Sequence, residues 1–309
     1  MAKNWDQITR RFETYLSDKE SWRPVLESPE GEQVSVEPEY RGSAKRSRKR
    51  YKQILQGERA FLDRAENPHT ILLTLTCPLR DRSGTLHRPA ARHLSIKEGW
   101  DHARKKLRYE LGRKRNLDYE YAWVMGASNE GRAIGSTHLH VEVLVDGQVS
   151  TDAFAPVLDK YIDKNPLACG EEHPSGEAIT VRSVEGGDLK PIGATDVELG
   201  EVSPAARYIG DHLPAIGCKQ DVREASAEKL RHEALMWALD SRSFGTSSGY
   251  PSGQEAAAGG EEWEYLGVSQ GGELYEVDGS SGSTSPDMIE TSSPEPMSPT
   301  TVDMGGIPL

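Results

Sequence analysis

Apolar and polar positions alternate between two periods along the middle of the chain. Residues 70–77 are β-branched and apolar up to Pro78, which predicts a buried strand. Trp100, Ala103, Leu107 and Leu111 then recur at helical spacing as far as Gly112, and Ser95 with Glu98 forms a capping-box signature that sets the helix start at Ser95. Residues 120–125 predict a second strand, followed by a glycine-rich loop over 126–136. Residues 137–145 alternate strictly and end at the Asp146-Gly147 turn. A helix starting at Ser150 or Thr151 continues through Phe154, Val157, Leu158 and Tyr161. Beyond it come a strand over 177–184, a short helix over 204–213 that opens with Pro204, and a longer helix over 222–239. Strands pairing mostly with neighbours, with helices inserted between them, predict an α+β fold in which an antiparallel sheet is backed by helices.

The ends of the chain read differently. Residues 241–309 contain 13 Ser, 12 Gly and 6 Pro, 31 of 69 positions, which exceeds the ~25–30% that marks low-complexity sequence. This stretch is expected to be a mostly disordered acidic tail. An exception is 263–277, where Trp263, Tyr265, Leu266, Val268, Leu274, Tyr275 and Val277 flank Gly271-Gly272 as in a small hairpin or docking element. The expected organisation is an acidic N-terminal extension over 1–40, a folded domain over 41–240, and the tail over 241–309. Apolar runs such as Ile71-Leu72-Leu73 fall far short of the ~18 residues of a membrane span. The N-terminus lacks an apolar signal region, so no membrane partner and a cytoplasmic location are expected. Cys77, Cys169 and Cys218 are too widely spaced for a CxxC pair.

Charge changes the picture most. The chain of 309 residues has a net charge of -12, which by itself argues against a polyanionic partner. That charge is segregated. Residues 1–40 carry about -4, residues 41–115 about +14, and residues 116–309 about -22. The basic segment holds two clusters. One contains Arg41, Lys45, Arg46, Arg48, Lys49, Arg50 and Lys52, and the other Arg104, Lys105, Lys106, Arg108, Arg113, Lys114 and Arg115. Each cluster alone reads equally well as a solvated helix face, but two of them inside an acidic protein favour a phosphate-binding surface.

Strand alternation places His138 and His140 on one face, where two imidazoles one residue apart can converge on a metal ion. A His-x-His pair is weak by itself, because plain surface strands carry it too. Glu142 continues that face as a solvent-facing acid, a hydrogen-bonding partner or a ligand. Glu130, eight residues before His138, reads either as an exposed loop acid or as a third, oxygen ligand suited to Mg²⁺ or Mn²⁺. Downstream, Tyr208 sits beside Arg207 on the short helix among small residues.

An apolar strand ending in Thr-Leu-Thr at Thr76, the His138-Leu139-His140 strand and a later helical tyrosine, Tyr208, resemble the three motifs of the HUH endonuclease superfamily. In particular they resemble rolling-circle replication initiators (Rep) of haloarchaeal plasmids and viruses. The resemblance covers about residues 70–240 and is most specific in the run from His138 to Gly147. It implies an RRM-like sandwich and metal-assisted transesterification on single-stranded or hairpin origin DNA. Tyr208 would be the nucleophile, and His138, His140 and Glu130 would hold Mg²⁺ or Mn²⁺. Arg46, Arg48, Lys49, Arg50, Arg104, Lys105, Arg108 and Arg207 would contact DNA, with a host polymerase or helicase as a further partner. The usual lysine one turn after the tyrosine is missing, because Asp211 and His212 stand there; Arg207 or Lys219 would substitute. Tyr161, with Lys164 three residues on, is the competing nucleophile. The alternatives are a non-catalytic DNA-binding or copy-control protein with the same fold, and a metallohydrolase of small molecules. No GxxxxGK[ST] motif occurs, so no fused helicase is expected.

Overall fold

The structure is a computed structural model, and its described residues are 2–127, 137–168, 178–183, 203–250, 264–270 and 273–276. In chain order the elements are α1 (Ala2–Ser21), β1 (Trp22–Glu27), β2 (Gln33–Ser35), α2 (Ala44–Leu62), β3 (Pro68–Leu75), α3 (Pro89–Leu107), β4 (Asp118–Ala127) and β5 (Thr137–Asp146). They continue with α4 (Ala155–Lys164), β6 (Ile179–Ser183), α5 (Pro204–Asp211), α6 (Ala227–Ala238), β7 (Phe244–Thr246), β8 (Glu264–Gln270) and β9 (Glu273–Glu276).

β5 lies at the centre of a five-stranded antiparallel sheet ordered β6-β3-β5-β4-β7. Its side-chain period of two divides its residues between two cores. Leu139, Val141, Val143 and Val145 pack with Ile71, Leu73 and Leu75 of β3 against Ile96, Trp100 and Leu107 of α3 and Val157, Leu158 and Tyr161 of α4. On the opposite face Leu144 joins Ala122 and Val124 of β4 under Tyr51, Ile54 and Phe61 of α2 and Ala206 and Ile209 of α5. Each such side chain, fully buried, contributes ~1.5–3 kcal/mol. The sheet is therefore covered on both sides by helices, the expected α+β sandwich. No helix among the described residues is long and apolar enough to cross a membrane.

α3 begins at Pro89, six residues before the expected capping box. Proline at the first helical position supplies the start. Ser95 lies inside the helix, and its hydroxyl donates to Asn165 at the end of α4. A residue that looks like a cap thus ties two helices together. The long helix expected from 222 is broken: a short 3-10 turn over Val222–Glu224, capped by Asp221, precedes α6.

Residues 1–40 and the segment around 264–276 meet in a second sheet, ordered β2-β1-β8-β9. β1 pairs with β2 and with β8, both antiparallel, and β8–β9 is the hairpin read from the 263–277 pattern. Phe12 and Leu16 of α1 share a core with Tyr40, Ala44, Val222 and Ala234. The sequence boundary at residue 40 consequently falls inside a packed cluster. The remaining tail beyond 276 lies outside the described residues.

Candidate metal and tyrosine site

His138, His140 and Glu142 project from β5 toward the face covered by α2 and α5, as their spacing requires. α5 approaches them with its start fixed by Ser203, whose hydroxyl accepts the Ala206 N–H at 3.1 Å, and with Pro204 in its first turn. Tyr208 and His212, four residues apart, stand on one side of the helix and its C-cap. One ligand atom from each of His138, His140 and His212 lies within 4.8 Å of the others. The His140 and His212 ring centroids are 4.3 Å apart, and the Tyr208 ring lies 4.8 Å from His140 and 4.6 Å from His212.

A missing side chain makes this approach possible. Gly126 of β4 stands opposite His138, and a Cβ there would fall 2.6 Å from His138 Nε2 and 2.7 Å from His212 Cδ2. Hydrogen bonds orient two of the rings. His140 Nδ1 is 3.1 Å from the Thr74 hydroxyl on the neighbouring strand, while its Nε2 is buried without a partner. His212 Nδ1 lies 2.8 Å from the Tyr208 carbonyl, which can only accept, so Nδ1 carries the proton and Nε2 keeps its lone pair. Such outer bonds fix ring orientation in metal sites.

Burial keeps the cluster uncharged. It pushes His138 down to about 4, aided by the nearby charges of His212 and Arg92, and His140 to about 2, aided by His138 and His212. His212 is lowered by burial as well. At neutral pH all three imidazoles are neutral bases, the form that binds a metal. Burial also raises the Tyr208 phenol above its usual value, although the residue is 41% exposed.

α5 is anchored from beneath. The Ser203 N–H donates to both carboxylate oxygens of Glu58, at 3.2 and 3.0 Å, and its hydroxyl donates to Glu142 at 3.2 Å. Both acids are fully buried, and desolvation raises both, Glu142 further because of the Glu58 charge. Glu142 is thus neither solvent-facing nor one of the clustered donors; it fastens the tyrosine helix to the histidine strand. At the other end Lys229 Nζ donates to the carbonyls of Asp211 and Leu213, at 2.8 and 3.1 Å, where a cation complements the helix terminus.

The sequence-derived residues separate. Among the described residues the third candidate donor beside the pair is His212, which in the sequence stands where a lysine is expected. Its signal was the four-residue spacing from Tyr208. Glu130 lies outside the described residues. Tyr161 is wholly buried between α3 and α4, its hydroxyl donating to the Thr76 carbonyl at 2.9 Å and accepting from Asn165 at 2.7 Å. Arg207 is exposed next to Tyr208.

Several basic residues are engaged within the protein. Arg48 pairs with Glu37 and Lys49 with Glu39, each at 3.4 Å, and Arg104 pairs with Asp101 at 3.0 Å. Arg50 is partly buried, bonded to Ser243 and stacked 5.5 Å from the Phe244 ring, and burial lowers its guanidinium to about 10. These contacts join α2 to β7. Arg46 is half-buried, whereas Lys105 and Arg108 are exposed. Lys106, Lys114 and Arg115 converge on the buried Glu110 carboxylate at 2.8 to 3.0 Å, and they hold it at about 2.

A histidine trio with a neighbouring tyrosine, on an antiparallel sheet covered by helices, defines the class of site. The chain belongs to the family described as "Putative rep protein (DUF1424)", whose model matches residues 1–295. It is similar to an "Uncharacterized 36 kDa protein" of Halobacterium salinarum, 26% identical over 285 residues, covering 89% of this chain and 86% of the relative. It is also similar to a protein of the same name from Halobacterium sp. (strain GN101), 24% identical over 296 residues, covering 88% and 84%. No solved structure matches.

Proposed function

We propose that the protein initiates rolling-circle replication as an HUH-type endonuclease that nicks and rejoins single-stranded origin DNA. The observation that carries this reading is the convergence of His138, His140 and His212 beside Tyr208. Membership of a family described as rep protein, and relatives from Halobacterium, support the same reading.

His138, His140 and His212 would hold a divalent ion, whose chemistry is to polarise a non-bridging oxygen of the scissile phosphate. The residues fit such an ion: the buried Nε2 of His140 has no other partner, and Gly126 leaves the space clear. Three nitrogen donors favour Mn²⁺ over Mg²⁺, which prefers oxygen. Tyr208 Oη then attacks phosphorus and the P–O3′ bond breaks. The phenol loses its proton, the departing 3′-oxygen gains one, and the 5′-phosphate stays on the tyrosine. A phenolate is a competent leaving group, so the stored ester can later be rejoined. Exposed Arg207, Lys105 and Arg108 would contact the DNA backbone, an affinity that falls steeply with salt.

The test is incubation of the full chain with a single-stranded origin oligonucleotide and Mn²⁺, then a denaturing gel and mass mapping. An adduct on Tyr208 that chelation prevents is the expected result. Sequence-specific binding without any adduct would instead identify a non-catalytic copy-control protein.

A further inference from the structure

Arg92 lies in the first turns of α3 and reaches the end of β3, just beyond the Leu75–Leu139 pair that aligns β3 with the histidine strand. It is 4% exposed, and its Nη2 donates to the Cys77 carbonyl at the end of the Thr-Leu-Thr strand. Nε and Nη1 are buried without a hydrogen-bond partner, and Arg92 forms no ion pair with a described carboxylate. A buried guanidinium left without a counter-charge is strongly disfavoured, and native proteins pair such groups almost without exception. Among the described residues no carboxylate balances this charge, which calls for an explanation.

The surroundings point the same way. His93 Nδ1, His232 Nε2, Thr137 Oγ1 and His140 Nε2 are further buried atoms without partners. The His138, His140 and His212 rings stand 4.3 to 5.6 Å from one another. That neighbourhood is rich in donors and bases. A divalent ion on the three imidazoles would add two more positive charges to it, and none of the three is an anionic ligand. The deficit is in negative charge.

We propose that Arg92 is the anion-binding residue of this site, taking a phosphate oxygen of the bound nucleic acid beside the histidine trio. The inference rests on the nuclease reading for the identity of the ligand, a phosphodiester, but not for its charge. Arginine suits the task because it stays protonated and its several N–H groups match phosphate oxygens. Because Nε and Nη1 do not reach solvent, binding involves rotation of the guanidinium away from the Cys77 carbonyl, a motion its long side chain permits.

Inorganic phosphate is the probe, with no DNA and no metal. The melting midpoint of the full chain is measured as sodium phosphate replaces sodium chloride at constant ionic strength. A ligand that binds only the folded state raises the midpoint, and 50 mM phosphate is expected to raise the wild type by at least about 2 °C. Arg92→Met should abolish the rise. Arg92→Lys, which keeps the charge with fewer donors, should retain a smaller one and covers the case in which Arg92→Met does not fold. An equal rise in wild type and both variants, or no rise in the wild type, overturns the proposal. The adduct assay separates the two readings: an adduct on Tyr208 with no phosphate response leaves the nuclease standing without this subsite. A phosphate response abolished by Arg92→Met, with no adduct, leaves the subsite standing without the nuclease.

Discussion

The two faces of the central sheet each carry a helix with a tyrosine, and the two tyrosines have opposite surroundings. On the α3–α4 face Tyr161 is sealed among Leu, Val and Ile, with its hydroxyl bonded to Thr76 and Asn165. On the α2–α5 face Tyr208 is half-exposed against two imidazoles. The same contrast runs along β5, where 139, 141, 143 and 145 are all aliphatic while 138, 140 and 142 are all ionisable. One face supplies rigidity from packing. The other places buried polar groups where only a tightly held backbone would keep them, and it is the face on which chemistry is expected.

The sharpest way to break this contrast is to remove each hydroxyl. Tyr208→Phe is expected to lower adduct formation by at least about a thousandfold, since the proposed nucleophile is gone, with little change in the unfolding midpoint. Tyr161→Phe removes two buried hydrogen bonds and should cost about 1–3 kcal/mol in urea unfolding while the adduct still forms. Adduct surviving Tyr208→Phe but lost in Tyr161→Phe would reverse the two roles.

Next in size is the proposed metal site. His212→Ala takes one of three donors and should weaken Mn²⁺ binding by roughly 10–100-fold or more, comparable to or larger than loss of an outer-shell partner. Thr74→Val, which removes only the bond to His140 Nδ1, should have the smaller effect of the two. Titration followed by electron paramagnetic resonance of free Mn²⁺ measures both. Equal affinity in His212→Ala and wild type would remove His212 from the donor set.

The last expected effect concerns pH. Burial holds His93 and His138 at about 4, His232 at about 3 and His140 at about 2, below the ~6.5 of an unfolded chain. Above pH 6.5 these rings are neutral in both states and stability is full. As pH falls below that, the unfolded chain takes up protons first, so stability falls by on the order of 1 kcal/mol per imidazole per pH unit until the folded values are reached. Glu110, held at about 2, contributes fully above ~4.3 and loses its contribution only as pH falls from there toward 2. Urea midpoints at pH 7.5 and 5 should therefore differ, and His232→Gln should narrow the gap. A midpoint flat across that interval would show that these rings are not held neutral.

The parts of this site that could be read from the sequence were those set by local periodicity. Strict alternation fixed the face of His138 and His140, and Ser203-Pro204 marked where the tyrosine helix begins. What could not be read depends on which elements meet in space. Ser95 resembles a cap until Asn165 is seen opposite it, and nothing local to Arg50 shows that Phe244 lies beneath it. Glu58 is 84 residues from Glu142 in the chain, and only the sandwich brings both to Ser203. Arg92 is one arginine among 23 by composition; that its Nε and Nη1 are buried without a hydrogen-bond partner is a property of the fold.

The pairing of β1 with β8 also has a consequence for timing. Residues 22–27 are synthesised early, yet one of their two partners, residues 264–270, emerges more than 230 residues later. At roughly 5–20 residues per second, that edge of β1 stays unpaired for on the order of 10–50 s on the ribosome. The histidine strand and its neighbours can form in the meantime. The small sheet cannot be completed until residues 264–270 have emerged, and a chain stopped before residue 264 would leave that edge of β1 open to other molecules.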